Sequence, residues 1–299
     1  MSFFFEALRE LRNAPTLTER VYIISPLLMA ALKDVSDFTG VSSKRTQQVA
    51  NKIAAEVAQR NQFVLKDDEP LIIRAGPFAG MRYIRYSAGS LLGAKIFGTY
   101  ETEIGHWFSE AIAGKKNDLF IDVGAAEGYY AVGMARACPD IPVHAFDINP
   151  SAQQMAGDLA RANQVSQRVS IGGRCTPEQL ETLLADARNP LLLVDIEGFE
   201  DQFLDPKLAP HLKAADIIVE LHEHKKPGVT YRILNRFRNT HRIEAVAAIP
   251  DAWKLDDARR VSDETTGLID VIDIQEGRRI PQLWLRMISQ SNFAQSRVD

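Results

Sequence analysis

From Asp118 onward the chain alternates between short apolar runs and helical stretches, and this alternation restricts the fold more than any other feature. Strand-like runs fall at 119–123, 142–147, 168–172, 190–195, 215–221 and 241–248. Helical stretches lie between them at 128–137, 151–163, 176–187, 199–212 and 228–238. One strand–helix repeat takes about 25 residues, enough for a right-handed crossover that brings the next strand back parallel to the last. The spacing therefore predicts an α/β fold with a Rossmann-like, mostly parallel sheet. A final apolar run, Gln282–Ile288, follows a loop rich in Asp, Glu and Gly and suits an antiparallel strand that finishes the sheet.

The segment before Asp118 reads differently. Residues 1–62 look helical, with Phe4, Leu8 and Leu11 on one face and Val49, Ile53 and Val57 repeating every four residues behind a Ser42 or Ser43 cap. Phe63–Leu65, Leu71–Arg74 and Met81–Ile84 are short β-like runs separated by Asp67-Asp68 and Gly76-Pro77, which predicts a small antiparallel meander. Residues 98–113 then have the period of an amphipathic helix with Ile104, Phe108 and Ile112 on its buried side. His106 on that helix reads as a packing or solvated group. Three parts result: a helical extension over 1–62, a meander with a covering helix over 63–115, and the α/β domain over 116–299.

Composition narrows the partners. The chain has 299 residues, 45% hydrophobic and 25% charged, with a formal net charge of -4, so no global positive field draws it to nucleic acid. Cys138 and Cys175 are the only cysteines, too few for a disulfide framework or a cysteine zinc site. The start Met-Ser-Phe-Phe-Phe-Glu lacks the basic region and cleavage signal of a secretory peptide. Val21–Leu32 is too short to span a bilayer and contains Pro26. A soluble cytoplasmic protein without a membrane span is expected, its acceptor a small molecule or glycan and not nucleic acid. The N-terminal helices offer a surface for a homo-oligomer. The basic residues Lys225, Lys226, Arg232, Arg236 and Arg238 read as a solvated face.

The first strand of the α/β part ends in Asp122-Val-Gly-Ala-Ala-Glu-Gly128, a strand, tight turn and helix start. This is where open α/β sheets bind nucleotide-like ligands. A dinucleotide site needs Gly-x-Gly-x-x-Gly so that backbone can approach a pyrophosphate. Aligning its middle glycine with Gly124 puts Asp122 at the first glycine and Glu127 at the third, two carboxylates facing a phosphate pair. Such a clash costs on the order of several kcal/mol. The same residues suit S-adenosylmethionine, which carries a sulfonium and an ammonium and no phosphate. Gly124, Ala126 and Gly128 give the turn its room. The second strand ends in Asp147, placed to accept both ribose hydroxyls, and Ile148 and Asn149 follow beside the adenine.

At this point the residues resemble the class I S-adenosylmethionine-dependent methyltransferases, and more narrowly the FkbM-type family. The match rests on Asp-Val-Gly-Ala-Ala-Glu-Gly-Tyr-Tyr at 122–130 and Val-Asp-Ile-Glu-Gly-Phe-Glu at 194–200, and it covers about residues 98–245. Where this chain has Ala126, such families often have Asn. The resemblance implies methyl transfer, commonly to an oxygen of a sugar or secondary metabolite.

The remaining strand ends supply candidates for chemistry, because ligands sit beyond the carboxyl ends of parallel strands. Gly172-Gly173 lets backbone approach a flat ring, or is a plain turn. Asp195 faces the centre of the cleft, where it serves as a cofactor contact and as part of the catalytic group. Glu220 and His222 point the same way by strand alternation. Methyl transfer to a hydroxyl needs alignment and a base; His222 is the first choice for that base and Glu197 the second. A divalent metal on Asp195, Glu220 and His222, as in catechol-type O-methyltransferases, is a variant of this reading. Tyr100 and Glu101, at the start of the covering helix, are placed to contact the methionine end of the cofactor. The rivals are an NAD-dependent oxidoreductase, disfavoured by the missing glycines, and a non-catalytic S-adenosylmethionine-binding module that regulates a partner. No Asp/Asn-Pro-Pro-Tyr/Phe follows the fourth strand, which weakens an amino-methylating nucleic-acid enzyme.

Overall fold

In the computed structural model the described residues are 70–85, 87, 92–262, 269, 274, 276 and 282–291. The helices read over 1–62 and the run Phe63–Leu65 lie outside the described residues. The chain divides into Met1–Asp68 and Glu69–Asp299, and all described residues belong to the second unit.

Seven strands form one sheet: β1 (Leu119–Val123), β2 (Val143–Phe146), β3 (Val169–Gly172), β4 (Pro190–Val194), β5 (Asp216–Leu221), β6 (His241–Ala247) and β7 (Leu283–Ser289). Their order is β3-β2-β1-β4-β5-β7-β6. Strands β1 to β5 pair in parallel, while β7 lies antiparallel to both β5 and β6. The sheet is therefore mixed, mostly parallel, with the antiparallel last strand inserted beside β5. The two central strands, Leu119-Phe-Ile-Asp-Val123 and Pro190-Leu-Leu-Leu-Val194, are buried at every position. That is why they read as continuous apolar runs and not as alternations. The edge strands β3 and β6 bury only part of their length.

Eight helices accompany the strands among the described residues: α1 (Leu92–Phe97), α2 (Thr102–Gly114), α3 (Tyr129–Ala137), α4 (Pro150–Ala162), α5 (Pro177–Ala185), α6 (Glu200–Phe203), α7 (Val229–Phe237) and α8 (Asp251–Arg260). The starts of α4 and α5 follow from local chemistry. Asn149 accepts the Ser151 amide ahead of Pro150, and Thr176 accepts the Gln179 amide ahead of Pro177. In both, a side-chain cap is followed by a proline at the first helical position.

Three sequence expectations change. The helix read over 199–212 is only the four residues of α6, with a 3-10 turn at Pro210–Ala214, because Pro206 and Pro210 cannot donate helical hydrogen bonds. The helix read from 98 begins at Thr102. Gly98 (φ +74) lies so close to the backbone of Ala75 that a Cβ would stand 2.3 Å from its carbonyl oxygen, and the chain turns there between α1 and α2. Among the described residues the meander is one antiparallel bridge, Ile72 with Arg82, held by the Ile73 amide to the Met81 oxygen and the Tyr83 amide to the Leu71 oxygen.

The segment before β1 packs on one face of the sheet. Phe78 meets Phe108, Tyr129 and Tyr130 edge-on, and Phe108 meets Phe120 at 6.2 Å between ring centres. Burying aromatic side chains of this size contributes about 2–3 kcal/mol each. On α2, Ile104 and Phe108 are buried as expected, Ile112 is half-buried, and His106 is exposed. Alternation along β1 then places Asp122 on the same face as Phe120, under this aromatic cover. On the opposite face Ile121, Leu192, Val194, Ile217 and Val219 form a core with Leu180, Leu212, Ile233 and Phe237.

Candidate functional site

The carboxyl ends of β1, β2, β3 and β4 surround a cavity of about 560 Å³, within the ordinary range for small-molecule sites. Gly124, Asp147, Ile148, Gly173 and Asp195, all expected as cofactor contacts, line it, and so does Glu197.

The β1 turn is clipped in place by its neighbours. The Gly124 and Ala125 amides donate to the Phe146 carbonyl, and the Asp195 amide donates to the Val123 carbonyl. At Gly124 (φ +91) a Cβ would stand 1.7 Å from the Asp195 oxygen, so no other residue fits. Gly128 (φ +87) starts α3, where an added Cβ would meet the Ala156 Cβ at 3.1 Å. Ala126 between them is also left-handed (φ +47), and its amide donates to Asp147 Oδ2 at 2.9 Å. Asp147 Oδ1 accepts the Asn149 amide at 2.8 Å. Each Asp147 oxygen keeps a further lone pair for a ligand.

Asp122 is 2% exposed, and its Oδ2 has no hydrogen-bond partner among the described residues. Burial pushes its pKa up to about 8; the Ala131 backbone hydrogen bond opposes this, and the nearby negative charges of Asp147 and Glu101 add to it.

Glu127 is a correction. It was expected to face the ligand beside Asp122, but its carboxylate is fully buried and ion-paired with Lys95 of α1. Tyr83 and Ser87 donate to the same oxygen at 2.7 and 2.9 Å. Burial alone would raise this carboxyl, but the Lys95 charge and these bonds outweigh it and hold the pKa low. Its charge is thus compensated inside the protein. Asn149 has a second task besides any adenine contact, since its side chain caps α4. Tyr100 is half-buried with its ring edge-on to Tyr129 at 5.2 Å. Glu101 is buried with φ +47, accepts the Tyr130 hydroxyl, and its own amide donates to Glu276 Oε1 at 2.9 Å. Of the expected cofactor contacts, Tyr100, Glu101, Asp122, Ala126, Gly128 and Asn149 are not part of the cavity lining, and Glu101 is close enough to act on Asp122.

The catalytic candidates converge at the ends of β4 and β5. His222 is 1% exposed, and its Nδ1 lies 2.7 Å from Glu200 Oε1. Its Nε2 is 3.2 Å from Glu197 Oε2, 3.4 Å from Glu220 Oε2 and 3.6 Å from Asp195 Oδ1. Glu200 also accepts the Gly198 amide at 2.8 Å. The loop that presents these groups is bent, with Glu197 at φ +58 and Gly198 at φ +106. Burial would raise the Glu197 carboxyl, but its bond to Lys225 and the nearby His222 hold it low. Strained backbone of this kind collects at functional sites. Of the five non-glycine residues with positive φ among the described residues, Glu101, Ala126 and Glu197 lie at or beside these strand ends.

Sequence reasoning missed two features. Phe199, 62% exposed, lines the cavity together with Ile148, which is 73% exposed. A lone aromatic after a glycine carries no periodic signal, although its place directly beyond the β4 loop was a positional hint. Glu200 was read as a helical residue; its role behind His222 depends on contact across 22 positions and has no local signature.

No family model matches the chain. Over 110 residues it is 28% identical to a tRNA1(Val) (adenine(37)-N6)-methyltransferase of Porphyromonas gingivalis, a match covering 36% of this chain and 43% of that protein. The chain thus spans less than half the length of the curated relative it matches. Among solved structures it is similar to a precorrin-6y C5,15-methyltransferase of Geobacter metallireducens (TM-score 0.43, 11% identity, 68% of this chain and 93% of that one). It is also similar to the B. subtilis M1A22 tRNA methyltransferase TrmK (TM-score 0.38, 8% identity, 60% of this chain and 64% of that one). These three proteins are named as methyltransferases, and the sheet of this chain is the mixed, mostly parallel, Rossmann-like sheet expected from the sequence.

Proposed function

We propose that this chain binds S-adenosylmethionine at the β1 turn and methylates a hydroxyl oxygen of a small molecule or glycan. Asp122 carries the cofactor assignment. A buried carboxylate with one oxygen lacking a partner, set beside the charges of Asp147 and Glu101, is relieved by a cationic ligand and further strained by a pyrophosphate. The rest of the site fits the same molecule. Asp147 has lone pairs for ribose hydroxyls, Ile148 and Phe199 offer apolar faces to an adenine, and Gly124 and Gly173 leave room for it. Glu101 stands behind this lining and acts on the site through its charge on Asp122. Glu127 adds nothing to the selection against phosphate, because Lys95 neutralises it.

When bound, S-adenosylmethionine supplies a methyl group activated by its sulfonium. The chain's own work is to orient the acceptor and take its proton. Glu197 and Asp195 line the cavity and are the groups that meet an acceptor hydroxyl. His222 is too buried to reach it, so Glu197 takes the part of general base, with His222 Nε2 3.2 Å behind it. Glu200 holds the imidazole in place.

Calorimetry with S-adenosylmethionine and with NAD tests the reading. Binding of the first and not the second is expected, and Asp122→Ala should abolish it; tight NAD binding alone would sink the proposal. A second reading, methylation of a nucleic-acid base, draws on the tRNA methyltransferase that the chain matches over 110 residues. For an exocyclic amino group the reading lacks the Asp/Asn-Pro-Pro-Tyr/Phe run after β4, where this chain has Asp195-Ile-Glu-Gly198. An acceptor panel that includes RNA separates the two. Cofactor binding with no methyl transfer to any acceptor would favour the regulatory module.

A further inference from the structure

We propose that Asp195, Glu220 and His222 hold a divalent cation at the floor of the cavity. The inference deepens the methyltransferase reading and depends on it for the cation's role, but not for its binding. One ligand atom from each of the three residues lies within 4.8 Å of the others. Octahedral oxygen and nitrogen ligands around a Mg²⁺-sized ion stand about 3 Å apart when adjacent and about 4.2 Å apart when opposite. A slight inward movement of these side chains closes the set.

The strongest observation concerns the histidine. Glu200 Oε1, already accepting the Gly198 amide, is the partner of His222 Nδ1 at 2.7 Å. A carboxylate oxygen accepts, so the proton belongs on Nδ1, and Nε2 presents a lone pair. That nitrogen is fully buried and makes no hydrogen bond with any described residue. It is aimed at carboxylate oxygens of Glu220, Asp195 and Glu197, all of them acceptors. Acceptors converging on an acceptor are held together by something positive between them. A proton on Nε2 is one answer, but it calls for a directional bond to one oxygen, and none of the three contacts has that geometry. A metal ion satisfies all of them together.

The second sphere agrees. A carboxylate behind a ligating imidazole fixes its tautomer and raises its basicity, and Glu200 stands in that position. Glu197 is engaged by Lys225 on its outer side, which leaves Asp195, Glu220 and His222 as the ligand set. Two carboxylates and one imidazole suit a hard or borderline divalent ion, for which Mn²⁺ is the probe. Asp195 also lines the cavity, so the remaining coordination positions open toward the acceptor. A hydroxyl bound there would lose its proton more readily, and Glu197 lies beside it to receive that proton.

The test is a Mn²⁺ titration of chelator-stripped protein without cofactor, with free Mn²⁺ read by electron paramagnetic resonance. One bound Mn²⁺ per chain is expected, weakened at least about tenfold by Glu220→Gln. If that variant does not fold, Asp195→Asn serves instead; it removes the charge of one ligand oxygen and should weaken Mn²⁺ by about tenfold or more. No binding at millimolar Mn²⁺, or an unchanged titration in a folded variant, overturns the proposal. Calorimetry of S-adenosylmethionine on the stripped protein separates the two claims. Retained cofactor binding without Mn²⁺ binding rejects the cation and leaves the methyltransferase reading standing. Mn²⁺ binding without cofactor binding does the reverse.

Discussion

Asp122 and Gly124 do different work two positions apart. Gly124 lets β1 and β4 approach, and Gly124→Ala would drive a Cβ into the Asp195 carbonyl at 1.7 Å. A destabilisation of about 3 kcal/mol or more is expected in urea unfolding, with loss of cofactor binding in whatever remains folded. Asp122 links the site to pH. Burial raises its folded pKa to about 8 from an ordinary carboxylate value of 3.8, so the folded form holds the proton more tightly than the unfolded chain does. The stability this contributes is fully present below the unfolded value and is lost as pH rises through about 8. Asp122→Asn should therefore melt above the wild type at alkaline pH, by a margin that shrinks toward pH 4. Cofactor affinity should move the other way in the wild type, rising as the carboxyl ionises near pH 8. Calorimetry across buffers of different ionisation heat should show a proton released on binding at neutral pH.

At the scale of elements, the caps decide where helices begin and so where site residues stand. Asn149 is both the residue expected beside the adenine and the cap of α4. Asn149→Ala should cost about 1 kcal/mol of stability in thermal unfolding. If the side chain acts only as a cap, cofactor affinity measured by calorimetry stays unchanged; a matching loss of affinity would restore the adenine contact. The loop between β4 and α6 works by strain instead. Glu197 at positive φ and Gly198 after it turn the chain so that Glu197 faces the cavity while Glu200 reaches back to His222. A longer α6, as the apolar spacing of 199–212 suggested, would not make this turn. Two prolines stop it.

Across the whole molecule, the segment before β1 is tied to the turn by one buried ion pair. Lys95 of α1 neutralises Glu127, and Tyr83 and Ser87 bond the same carboxylate. Lys95→Met leaves that charge uncompensated and should destabilise the fold by about 3–5 kcal/mol. Glu127→Gln in the same chain should recover much of the loss, read by a double-mutant cycle in urea. A second buried set, Lys254 of α8 between Glu103 at 3.0 Å and Glu276 at 2.5 Å, links α8 to α2 in the same way. Among the described residues no helix is long and apolar enough to cross a membrane.

The sequence by itself determined the seven strands and most of the helices, because buried parallel strands are apolar runs and their crossovers have a regular length. It also placed Asp122, Gly124, Asp147 and Asp195 at strand ends, since strand ends and glycines are local features; Gly124, Asp147 and Asp195 line the cavity, and Asp122 is buried outside that lining. Tertiary structure decided everything that rests on a partner far along the chain. Glu127 looked like a ligand group until Lys95, from outside the repeat, met it. His222 was the first choice for a base facing the cleft, and β5 and the α6 loop bury it against Glu200. Charge and burial are properties of surroundings, and a carboxylate or imidazole carries no mark in sequence of which neighbour will stand beside it.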